Sequence, residues 1–121
     1  MGRLRSETLE RMERYADRVL DVVDELERQK RYRRIIDQLA GSGPSAGANS
    51  FEADEAMSRS DFVKCLCVVV KELSETAFWL RLIARRQWIN PKRLESLLRE
   101  TSELKSIFSA MIIRTRRRSR K

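Results

Sequence analysis

Apolar residues recur along this chain with the spacing of helices. From about Ser6 to Gln29, Leu9, Met12, Ala16, Val19, Val23 and Leu26 follow one another at intervals of 3, 4, 3, 4 and 3. That rhythm predicts a helix whose seam lies nearly parallel to its neighbours. Its other faces carry Glu10, Glu13, Arg14, Asp17, Arg18, Asp21 and Asp24, a solvated surface with oppositely charged pairs one turn apart. Farther on, Phe62, Leu66, Val69, Leu73, Ala77, Leu80 and Ile83 continue the pattern. Ser58 or Ser60 can cap that helix, Asp61 suits its first turn, and Arg85-Arg86 suit its end. Asn90-Pro91 then reads as an N-cap followed by Pro at the first helical position. Leu94, Leu97, Leu98, Thr101, Leu104, Ile107, Phe108 and Met111 supply the last buried face.

Between the first and third helices, Ile35, Ile36 and Leu39 begin another helix that runs into Gly41-Ser42-Gly43-Pro44-Ser45-Ala46-Gly47-Ala48-Asn49-Ser50. Local rules make that stretch a loop, because Gly and Pro penalise helix interiors and Ser and Asn compete for backbone hydrogen bonds. The alternative is a close approach of two helices along small residues, with Pro44 bending one of them. Helices of roughly 20 to 25 residues joined by short connections pack best as an all-α, up-down-up-down antiparallel four-helix bundle. At 121 residues the chain has material for one core.

Charge changes the picture at the C-terminus. Of 26 basic residues, six (Arg114, Arg116, Arg117, Arg118, Arg120 and Lys121) fall in the last eight positions, leaving 20 basic against 18 acidic groups elsewhere. The reading is therefore a nearly balanced bundle over residues 1–113 and a basic tail over 114–121. Such a tail is either a solvated, self-repelling end or a flexible arm that seeks phosphates. A second basic cluster, Arg28, Lys30, Arg31, Arg33 and Arg34, surrounds Tyr32 between two helices and can extend the same footprint.

Candidate chemistry is sparse. The chain has no His, which removes the commonest general base and most zinc and haem sites. Cys65 and Cys67 stand at i, i+2, about 200° apart on a helix, so they can neither bridge each other nor share a metal. Glu72 and Glu75 share a face, but carboxylate-bundle metal sites also need a Glu-x-x-His motif, which leaves an ion pair with Lys71 or a subunit contact. No enzyme activity, cofactor or metal is expected. The longest apolar run, around Cys65 to Val70, falls far short of a membrane span, and the amino terminus has no signal core, so a cytoplasmic location is expected.

Gln38-Leu39, Ser45-Ala46-Gly47-Ala48-Asn49 with Glu52-Ala53, Ser60-Asp61-Phe62, and the string Lys71-Glu72-Leu73-Ser74-Glu75-Thr76-Ala77-Phe78-Trp79-Leu80-Arg81-Leu82 carry a resemblance. They are similar to the four-helix-bundle family first named for 23S ribosomal RNA intervening sequences, over roughly Leu9 to Ile113. The resemblance implies that the small-residue motif lies inside the second helix, with a kink or break near Gly43-Pro44. The sequence departs from the family pattern at Ala46 and Ser50, slots usually holding Ile, with Phe51 expected to supply the missing volume. The family also resembles the accessory protein of diversity-generating retroelements, which forms a ring of five bundles and engages a reverse transcriptase and nucleic acid. That likeness implies a homo-oligomer, a pentamer, with RNA, DNA or a reverse transcriptase as partners.

On these grounds Asn49, Glu52, Phe78 and Trp79 are expected at oligomer or bundle contacts. Trp79 is expected to pack in the bundle or between subunits, and Trp88 to close the turn after the third helix, with base stacking the alternative for both. The function expected is a non-enzymatic oligomeric bundle that binds nucleic acid without sequence preference, or serves a nucleic-acid enzyme. The alternative is a structural or adapter protein working through helix-helix contacts.

Overall fold

The computed structural model describes residues 2–119. Helices α1 (Ser6–Arg28), α2 (Arg33–Asp54), α3 (Arg59–Arg85) and α4 (Pro91–Ser119) account for nearly all of them, and the described residues include no strand. Ser58 caps α3 by accepting from the Asp61 backbone N–H at 3.0 Å. Asn90 caps α4 by accepting from Lys92 N–H at 3.0 Å, with Pro91 at the first helical position where no amide hydrogen is needed.

Consecutive helices pack on each other, α1 on α2, α2 on α3 and α3 on α4, and the diagonal pairs stay apart. The fourth edge is different. Between α1 and α4 the backbones seldom come close, and long side chains span the gap. Tyr15 Oη bonds Thr101 Oγ1 at 2.7 Å, and Arg11 grips Glu100 through two hydrogen bonds of 2.7 Å. Thr101 spends its single hydroxyl hydrogen on the Leu97 carbonyl, so Tyr15 is the donor in their pair.

The segment that local rules make a loop lies inside α2, which runs through Gly43-Pro44 without a break. Packing decides this. Ser42, Gly43, Ala46, Gly47, Ser50 and Ala53 are buried on a face where bulk is excluded. A Cβ on Gly43 would lie 2.5 Å from Val19 Cγ1, so this position requires Gly. Close helix approach offsets a propensity cost of about 1 kcal/mol per Gly and about 3 kcal/mol for Pro. Ala46 and Ser50 are fully buried, and Ser50 donates its hydroxyl to Gly47 O at 2.6 Å. Phe51 does not fill their volume: it is 38% exposed.

The buried faces differ from the predicted seams in detail. On α1, Tyr15 and Val22 are buried and Leu9 and Ala16 only half-buried. On α3, Thr76 rather than Ala77 faces the core, where its Oγ1 lies 2.8 Å from both Ser42 Oγ and Glu72 O. On α4, Ile112 is buried while Leu98, Ile107 and Met111 are half-buried. No helix among the described residues is long and apolar enough to cross a membrane.

Candidate nucleic-acid interface

Antiparallel packing brings the α1–α2 and α3–α4 turns to one end of the bundle, and the two helix ends that enter them are built alike. Lys30 N–H donates to Glu27 O and Arg31 N–H to Leu26 O; Gln87 N–H donates to Ala84 O and Trp88 N–H to Ile83 O. Each is a Schellman motif, with its left-handed position filled by a residue other than Gly: Lys30 at φ 56° and Gln87 at φ 55°. The residues that follow, Arg31 and Trp88, thereby face each other. The Arg31 guanidinium carbon lies 4.9 Å from the Trp88 ring centroid and that of Arg86 5.9 Å, while Tyr32 approaches the same ring at 5.8 Å. Gln29 Nε2 ties the turns together by donating to Trp88 O at 2.9 Å.

Trp88 itself is 8% exposed, so it closes the turn and serves as a base beneath the cations rather than as a free platform. Tyr32 is 64% exposed and presents the open ring. Lys30, Arg31, Tyr32, Arg86 and Trp88 line a shallow cleft of about 310 Å³.

The cations of this end fall into two groups. Arg28 is bonded to Glu25, and Arg33 to Glu27 with Asp37 at 3.3 Å. The bonds from Arg28 and Gln29 hold the Glu25 carboxyl below its usual range. Lys30, Arg31, Arg34 and Arg86 make no ion pair with any described residue, and three of them, Lys30, Arg31 and Arg86, line the cleft with Tyr32. Arg86 lies outside the basic patch that the sequence alone suggests. Antiparallel topology is the signal that could have found it, since the ends of α1 and α3 must then be neighbours.

The basic C-terminal residues lie at the opposite end. α4 does not stop at residue 113; it continues through Ser119, so residues 114–119 are helical rather than a flexible arm. Arg is a good helix former, and cations are favoured in a last helical turn by the macrodipole. The helix also separates the charges. Arg114 and Arg118 line a cleft beside the start of α1, whereas Arg116 reaches α3, with Nη2 3.7 Å from Cys67 Sγ. Arg117 is exposed. Arg120 and Lys121 lie outside the described residues.

With the fold and both basic ends in view, comparison with known proteins places the chain. The family model for the 23S rRNA-intervening sequence protein matches residues 5–110. The chain belongs to the 23S rRNA-intervening sequence protein family. It is similar to a protein of unknown function from the S23 ribosomal protein family of Bacteroides thetaiotaomicron, whose crystal structure aligns at a TM-score of 0.82 and 30% identity, covering 87% of this chain and 97% of that one. No curated protein matches the chain.

Within this member of the 23S rRNA-intervening sequence family, the residues expected at contacts are distributed as follows. Asn49 makes its hydrogen bonds within α2: its Nδ2 donates to Ser45 O at 2.9 Å and lies 3.2 Å from Ser45 Oγ. Glu52 is exposed on α2 near Cys65 of α3. Trp79 is half-buried and donates Nε1–H to Glu75 Oε2 at 3.1 Å, giving Glu75 a partner other than Lys71. Phe78 is 51% exposed, its ring edge-on to Trp79 at 4.9 Å. Burial, with Glu52 and Asp61 nearby, pushes the Cys65 thiol up, away from the reactive thiolate. Among the described residues no group of carboxylates and thiols converges as a metal site.

Proposed function

We propose that this protein is a non-enzymatic, homo-oligomeric bundle that binds nucleic acid at its turn end and acts as an accessory to a nucleic-acid enzyme. The observation that carries this reading is the set Lys30, Arg31 and Arg86, cations without ion-pair partners among the described residues, lining one cleft with Trp88 and the exposed Tyr32 ring, with Arg34 two residues along the chain from Tyr32. Guanidinium and ammonium groups take phosphates, and an exposed phenol face stacks any base, a combination suited to single-stranded or looped RNA or DNA. No side-chain pattern there reads base edges, so sequence preference is low and the partner supplies any specificity. Arg116 and Arg117 add charge at the other end, Arg120 and Lys121 follow them in sequence, and a ring of subunits, a pentamer by family resemblance, multiplies every contact. A reverse transcriptase is the enzyme partner that this resemblance favours.

The test is a salt titration of binding to a single-stranded RNA and a duplex DNA, using the full chain, Lys30→Ala with Arg34→Ala, Tyr32→Ala, and a chain ending at Ile113. Each lost phosphate contact should lower the slope of log affinity against log salt by roughly 0.7 to 0.9, and Tyr32→Ala should weaken single-strand binding at an unchanged slope. Absence of binding, or binding insensitive to salt and to every variant, would leave the adapter reading, in which helix-helix protein contacts such as Phe78 act alone.

A further inference from the structure

One row of side chains on α4 changes character along its length. Ile107, Met111, Arg114 and Arg118 follow one another at intervals of 4, 3 and 4, which sets them within about 60° around the helix. The row is apolar at its first two positions and cationic at the next two. It lines a cleft of about 500 Å³ at the end of the bundle away from the turns just described, with Leu4 and Arg5 contributed by the chain ahead of α1. No carboxylate of a described residue lines this cleft.

The chain ahead of α1 is held in place. Arg3 N–H donates to Asp54 O at 3.1 Å, Leu4 N–H to Asp54 Oδ1 at 2.7 Å, and Arg3 Nε–H to Ala56 O at 2.9 Å, strapping it to the α2–α3 connection. Arg3 is further engaged by the Phe62 ring, 5.4 Å from its guanidinium carbon. Phe62 lines the cleft but is 8% exposed, so it offers no open face to a base. Arg5, Arg114 and Arg118 make no ion pair with a described residue, and Leu4, Ile107 and Met111 are only half-buried.

The cleft is therefore preformed, cationic toward the end of α4 and apolar toward the middle of the bundle. Inorganic phosphate would meet the guanidiniums and leave the apolar wall wet, whereas a neutral hydrocarbon would cover that wall and leave three cations unanswered. A molecule with both parts satisfies both. We infer that the cleft binds a single-chain phosphate amphiphile, a phosphate monoester of a medium-chain alcohol. Its head lies among Arg5, Arg114 and Arg118, and its chain runs over Met111 and Leu4 toward Ile107. From Ile107 to Arg118 the helix rises roughly 16 Å, and the volume falls within the roughly 300 to 1,000 Å³ of small-molecule sites. The site shares no residue with the Tyr32 cleft and does not depend on nucleic-acid binding.

Calorimetry of the full chain with decyl phosphate, kept below the concentration at which it aggregates, tests this. One molecule should bind per chain, and affinity should rise from butyl to decyl phosphate by about two- to fourfold for each methylene buried. Arg114→Ala with Arg118→Ala should weaken decyl phosphate by about tenfold or more. Arg116→Ala with Arg117→Ala removes the same charge from α4 outside the cleft and should leave affinity unchanged. Met111→Gln should flatten the dependence on chain length while butyl phosphate binds as before. Helical circular dichroism checks that each variant is folded. Failure of decyl phosphate to bind would overturn the inference. So would equal affinity for butyl and decyl phosphate, which marks a plain phosphate contact such as a nucleic-acid backbone. Equal losses from the two arginine pairs, or binding only to vesicles that contain phosphatidic acid, would overturn it as well, leaving diffuse attraction or a lipid surface in its place.

Discussion

Arg31 and Trp88 occupy the same position in two separate helix ends, and the guanidinium of one lies 4.9 Å from the ring of the other. Both are set there by the residue before them, Lys30 or Gln87, held in the left-handed region where side chains other than Gly are strained. Gln87→Gly should relieve that strain and stabilise the fold by up to about 1 kcal/mol, partly offset by the greater freedom of Gly in the unfolded chain. Lys30→Gly should stabilise comparably but lose a free cation. Thermal melts paired with RNA binding should therefore separate the two: both raise the midpoint, and only Lys30→Gly lowers affinity.

Two glycines in α2 should respond in opposite directions. Gly43→Ala places a methyl against the short, branched side chain of Val19, whose Cβ lies only 2.8 Å away, so the overpacking should cost about 1 to 3 kcal/mol despite better helix propensity. Gly41 is exposed, and nothing from the other helices comes within 4 Å of where a methyl would stand, so Gly41→Ala should stabilise by about 1 kcal/mol. Denaturant unfolding of both variants checks the sign; a stabilised Gly43→Ala would contradict the close α1–α2 approach.

Stability should fall at both extremes of pH, for separate reasons. Burial pushes the Tyr15 phenol from 10.0 up to about 12. The unfolded chain ionises first, so stability is flat below pH 10 and declines as pH rises toward 12. Tyr15→Phe should remove that decline while costing about 0.5 to 1.5 kcal/mol for the lost bond to Thr101. On the acid side, the Arg11 hydrogen bonds hold the Glu100 carboxyl below its usual range, so its contribution is present above the unfolded value near 4.5 and is lost as pH falls through the folded one. Glu100→Gln should flatten that limb. Urea midpoints measured across pH test each limb separately.

Helix periodicity carried most of the fold, because α1, α3 and α4 bury one stripe each and the caps of α3 and α4, Ser58 and Asn90, have unambiguous side chains. The misplaced positions share a physical cause. Tyr15 and Thr76 are polar residues whose hydroxyls find partners on other helices, Thr101 and Ser42, and no local pattern anticipates a partner some 34 or 86 residues away. Residues 41–50 needed the family resemblance, since only the shape of α1 explains why small residues there favour a helix. The basic cluster at residues 28–34 was visible, but its division into paired Arg28 and Arg33 and the remaining Lys30, Arg31 and Arg34 depends on where Glu25, Glu27 and Asp37 stand in space. Arg86 joined it through topology alone.

The α1–α4 edge, spanned by side chains instead of close backbones, bears on how the molecule assembles itself. Every other helix contact joins neighbours along the chain, so three successive hairpins can form from local encounters with little loop-closure entropy, a topology that folds in microseconds to milliseconds. Closing α4 onto α1 is the one pairing of described helices that are not neighbours along the chain, and its bonds, Arg11 to Glu100 and Tyr15 to Thr101, reward the chain only after the hairpins exist. Interactions made that late leave the folding rate nearly untouched and instead set how slowly the finished bundle comes apart.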